Sequence, residues 1–91
     1  MDVHVLFRFS KKTGKIDTTM TGITTALMQM WALQNTTKTK DTMIINQKTG
    51  AVIFYAHGTG DFPKVEKENL GTCDQYGIPL EVVQEIRDDR F

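Results

Sequence analysis

At 91 residues, with 40% hydrophobic and 24% charged side chains, the chain has ordinary globular composition and enough length to bury a core without metals or disulfides. This excludes intrinsic disorder and predicts one domain over residues 1–91. Cys73 is the only cysteine, so no internal disulfide forms and a reducing, cytoplasmic setting fits. Eleven basic residues balance eleven acidic ones, but residues 1–50 hold seven basic and three acidic and residues 51–91 hold four and eight. That split is expected to draw the two lobes together within one fold. No apolar run is long enough to cross a bilayer, so neither a membrane partner nor export is expected.

The first element is a hairpin. Val5, Phe7 and Phe9 alternate along one strand, and Lys11-Lys12-Thr13-Gly14 forms the turn, with Gly14 supplying the positive φ that closes it. A four-residue loop pairs Phe9 with Ile16, Phe7 with Thr18 and Val5 with Met20. This register gathers the apolar side chains on one face and sets Arg8 opposite Asp17.

A helix follows. Ile23, Ala26, Leu27, Met30 and Leu33 recur at helical spacing, which predicts an amphipathic helix from about Thr24 to Gln34 with that stripe inward. Met28 and Trp31 lie off the centre of the stripe. Residues 35–41 are polar and form a loop.

The second hairpin repeats the Lys-Thr-Gly of the first, in Ile45-Asn-Gln-Lys-Thr-Gly-Ala-Val52. The same loop rule pairs Ile45 with Val52 and Met43 with Phe54 on one face, and Ile44 with Ile53 and Thr42 with Tyr55 on the other. Strands apolar on both faces belong inside a sheet rather than at its edge. Beyond His57, Pro63 is expected to open a short helical turn that stops at Gly71. A last helix is expected from about Pro79 to Asp89, with Leu80, Val83 and Ile86 inward. The fold class is therefore α+β: a four-stranded antiparallel sheet from two β-hairpins, in ββαββα order, with the helices packed on one face, that of Phe7, Phe9, Ile45 and Phe54.

No catalytic centre stands out. Cys73 as nucleophile with His57 as base, oriented by Asp61 or Asp74, has the right residue types, but no recognisable signature surrounds them and a lone cysteine is usually a small buried hydrophobe. Gly58-Thr59-Gly60-Asp61 follows a strand as phosphate loops do, yet lacks their length and their Lys-Ser/Thr ending. One cysteine and the two scattered histidines, His4 and His57, give no metal-ligand spacing, and no cofactor is expected. Thr72 to Ile86 resembles the helix-turn-helix pattern of DNA-binding proteins: Cys73 takes the place of its small residue, Gly77 of its turn glycine, and Ile78, Val83 and Ile86 of its apolar positions. Thr72 stands where an aliphatic residue is usual. The resemblance implies a recognition helix, but that helix carries Glu81, Glu85, Asp88 and Asp89 against Arg87 and Arg90, which repels phosphate.

Two surfaces remain. With both helices on the Phe7 face, Leu6, Ile44, Ile53 and Tyr55 face outward beside Arg8, an apolar patch with a polar rim of the kind that binds proteins, unless the C-terminal segment covers it. The expectation is a non-enzymatic interaction or regulatory module whose partner is another protein or a second copy. The alternative is nucleic-acid binding through Lys11, Lys12, Lys15, Lys38, Lys40 and Lys48 at the hairpin tips and the connecting loop.

Overall fold

The computed structural model describes residues 1–87. Strands β1 (His4–Ser10) and β2 (Ile16–Gly22) form the first hairpin, and helix α1 (Thr25–Asn35) leads to the second, β3 (Lys40–Asn46) with β4 (Val52–His57). A short strand β5 (Lys64–Glu66), a 3-10 turn (Cys73–Tyr76) and a short helix α2 (Leu80–Gln84) complete the order. All strand pairs are antiparallel and the sheet runs β2-β1-β3-β4-β5. The class is the expected α+β, and β3 and β4 are interior strands. The fifth strand replaces the helical turn expected after Pro63, because residues 64–66 pair with 55–57 and cover what would otherwise be an open edge of β4.

The two turns are built alike. In the first, Ser10 Oγ accepts the backbone N–H groups of Lys12 and Thr13 (3.2 Å each), and Gly14 N–H donates to Ser10 O. In the second, Asn46 Oδ1 accepts those of Lys48 and Thr49 (2.9 and 3.1 Å), and Gly50 N–H donates to Asn46 O. Gly14 and Gly50 sit at φ 76° and 79°, the left-handed region that disfavours a side chain. Corresponding residues of the two hairpins meet across the seam: Phe7 of β1 stands opposite Met43 of β3.

Each hairpin holds its expected innermost pair, Phe9 with Ile16 and Ile45 with Val52, and then slips by one residue. The slip is a bulge at Asp17 in the first and at Ile53 in the second, equivalent positions after the same turn. An inserted residue swaps faces for everything beyond it. Met20 therefore joins Leu6 rather than Val5, and Phe54 joins Ile44 rather than Met43.

Two cores result, one on each face. Val5, Phe7, Phe9, Met43, Ile45 and Tyr55 lie beneath the C-terminal segment, which contributes Leu70, Cys73, Ile78 and Val83. Leu6, Met20, Ile44, Phe54 and Ala56 lie beneath Met28 and Ala32 of α1. The helices thus cover opposite faces, not one. The C-terminal helix also ends at Gln84, short of the expected Asp89; Asp88 and Asp89 lie outside the described residues.

Candidate functional site

The expected outward patch is not a surface. Leu6 and Ile44 are wholly buried under α1, Ile53 is half-buried against the same core, and Tyr55 is buried on the opposite face. Arg8 is half-buried too. Its Nε holds Asp17 Oδ1 at 2.8 Å and its guanidinium donates to Asn35 O at 3.2 Å, tying the end of α1 to the sheet. Lys40 also contacts Asp17, and the two cations, Arg8 first, hold that carboxyl well below the usual carboxylate range.

One buried polar cluster stands at the end of β3 and β4. Asp41, almost fully buried, accepts Tyr55 O–H at 2.8 Å through one oxygen and Gly58 N–H at 2.8 Å through the other, with Lys11 Nζ 3.7 Å away. Lys11 also donates to Gly58 O. The His57 ring stacks on Tyr55 with centroids 3.9 Å apart, and its Nε2 meets Glu66 Oε2 at 2.9 Å. That bond lowers the Glu66 pKa, while burial, followed by the Asp41 hydrogen bond, raises that of Tyr55. A Cβ on Gly58 would lie 1.7 Å from Thr37 O, so the chain crosses here at a distance only glycine allows. These hydrogen bonds lock the β4–β5 connection to β3, and His57 Nδ1 stands 4.0 Å from Asp41 Oδ2.

Cys73 and His57 are not brought together. Cys73 lies in the core under the C-terminal segment, its Sγ directed to Asp74 Oδ1 at 3.7 Å, and burial raises its pKa. A thiol there is neither accessible nor activated. Among the described residues no three His, Cys, Asp or Glu side chains cluster as a metal site, and no helix is long and apolar enough to cross a membrane. The segment resembling a helix-turn-helix is a four-residue 3-10 turn and a five-residue helix. A helix that short spans about 8 Å, and Cys73, Ile78 and Val83 are spent on the sheet.

The six lysines divide between two ends. Lys11, Lys12 and Lys15 share the first hairpin tip with Lys38 and Lys40, since Lys11 N–H bonds Thr39 O, whereas Lys48 is on the second tip beside Val3. Lys40 and Lys11 face Asp17 and Asp41, which leaves Lys12, Lys15 and Lys38 exposed without a carboxylate partner among the described residues.

The feature that sequence periodicity aimed the wrong way is α1. Its expected inward stripe faces solvent. Ile23, Leu27, Met30, Trp31 and Leu33 are each 40 to 57% exposed, and Ala26 is exposed among them, while the buried positions are Met28 and Ala32. No charged residue occurs from Gly22 through Thr37. Taking ~200 Å² for each fully exposed side chain, the five display roughly 450 Å². An apolar groove of about 430 Å³ opens beside the start of the helix, lined by Val3, Thr21, Gly22, Ile23, Thr24, Leu27 and Met28.

Fold and surface together define a small α+β fold whose sheet is covered on both faces and whose first helix carries large apolar side chains on its solvent side as well as its sheet side. Comparison with known protein families, curated proteins and solved structures found no match for the chain.

Proposed function

We propose that this chain is a non-enzymatic interaction module, acting in the cytoplasm by docking the outer face of α1 on an apolar protein surface, whether of another protein or of its own copy. The observation that carries the reading is the exposure of four large apolar side chains, Leu27, Met30, Trp31 and Leu33, on a helix without a charge, with Ile23 exposed just before it. A helix exposed on one side ordinarily places charged or polar residues there; one apolar all round is a buried helix. Here the sheet covers one side and the other side lacks its cover. A contiguous apolar patch of several hundred Å² is about the largest a monomeric domain shows, and such a patch is often functional. The engaged polar cluster and the separation of Cys73 from His57 support binding over catalysis.

The test is photocrosslinking in native extract with benzoylphenylalanine at position 30, on the outer face, against the same group at position 12 on the hairpin tip. A protein adduct from position 30 and none from position 12 is expected. No adduct from position 30 sinks the reading.

A further inference from the structure

The occupant of this face can be argued from its own shape and charge. Ile23, Ala26, Met30 and Leu33 follow a three-four-three spacing, the seam by which one helix packs along another. Ala26 is the small residue of the seam, where a second helix can approach closely, and Ile23, Met30 and Leu33, 41 to 57% exposed, flank it. Small and large positions are thus on one surface, and an antiparallel helix carrying that same surface sets its large side chains beside this Ala26 while this helix does the same in return.

Charge points the same way. In a two-fold interface each patch meets itself, so any charged residue near the axis meets a like charge. The stretch from Gly22 through Thr37 has none to bring into conflict. Opposite charge is one means by which a dissimilar partner is steered and selected, and this face supplies none.

We infer that the occupant is a second copy of this chain, paired about a two-fold axis through antiparallel contact of the two α1 helices along Ile23, Ala26, Met30 and Leu33. This rests on the docking role proposed above and names its partner. The two patches total roughly 900 Å² of apolar surface, below the standard interface size, so pairing is of the weak, reversible kind.

The experiment is sedimentation equilibrium on the purified full chain. Wild type is expected to show a two-chain mass at about 100 μM and to dissociate on dilution. Leu27→Lys/Met30→Lys and Leu27→Glu/Met30→Glu are each expected to sediment as single chains with an unchanged far-UV circular dichroism spectrum. Their equimolar mixture is expected to recover the two-chain mass, because opposite charges now face each other. Should the double variants unfold, Ala26→Arg takes their place, expected to be folded and single-chain. A wild-type chain of single mass throughout, a mixture that stays monomeric, or an Ala26→Arg chain that still pairs overturns the self-pairing. Those results leave the docking role to the crosslink at position 30: an adduct to a different protein preserves that role without self-pairing, and no adduct removes both.

Discussion

Asp41 and Tyr55 show at residue scale why the polar cluster escapes a reading of the sequence. Asp41 stands in a polar, Thr- and Lys-rich stretch and Tyr55 in an apolar one; only the ladder that sets β4 beside β3 brings phenol and carboxylate to 2.8 Å. The pair has a consequence for pH dependence. Burial, then Asp41, raises the Tyr55 pKa above its ordinary value. Below about pH 10 the phenol is neutral both folded and unfolded and its contribution is complete; above that the unfolded chain loses its proton first, and stability falls as pH rises toward the folded value. Equilibrium urea unfolding is therefore expected to show a steep loss of stability from about pH 10 upward. Tyr55→Phe should flatten that loss while lowering stability near pH 7 by about 1–2 kcal/mol, since it strips a donor from the buried Asp41 carboxylate. An equally steep alkaline loss in Tyr55→Phe would assign it to groups other than Tyr55.

At the scale of elements, turns were more legible than faces. The Lys-Thr-Gly pattern specifies both hairpins and their innermost pairs, because a turn is local chemistry: a side-chain acceptor at Ser10 or Asn46 and a glycine at positive φ. The bulges at Asp17 and Ile53 are not local, since they come from the competition between turn twist and ladder, and an extra residue carries no signal of its own. They exchange the sheet's faces and move Phe54 and Met20 under α1. The stripe on α1, expected to face inward, faces solvent, because periodicity identifies an apolar face without saying what buries it. Met28 and Met30 are two residues apart on opposite sides of the helix, 1 and 57% exposed, and they separate the two assignments. Met28→Lys puts an unpaired charge under the helix and is expected to cost at least about 3 kcal/mol in urea unfolding. Met30→Lys should change the stability of the single chain by no more than about 0.5 kcal/mol. The reverse order would restore the inward stripe.

For the whole molecule, the charge split between the two halves of the sequence does not become attraction between lobes. No Lys or Arg of residues 1–50 pairs with a carboxylate of 51–91 among the described residues; Arg8, Lys11 and Lys40 instead meet Asp17 and Asp41 of their own half. What joins the halves is the ladder of β3 against β4 and two apolar cores that draw residues from both. The same pairing shapes the nucleic-acid alternative. Six lysines close together would release many counterions, but Lys48 is at the far end and Lys11 and Lys40 are answered by acids, leaving Lys12, Lys15 and Lys38. Three phosphate contacts correspond to a slope of log K against log salt of about −3 on duplex DNA. Fluorescence titration of a labelled duplex is accordingly expected to show weak binding with a slope no steeper than that. The triple substitution of Lys12, Lys15 and Lys38 by Ala should abolish it, whereas Lys48→Ala should leave it unchanged. A slope beyond about −5, or a loss on removing Lys48, would mean that all six lysines reach one strand, and would make the hairpin tips, not α1, the surface this fold was built to present.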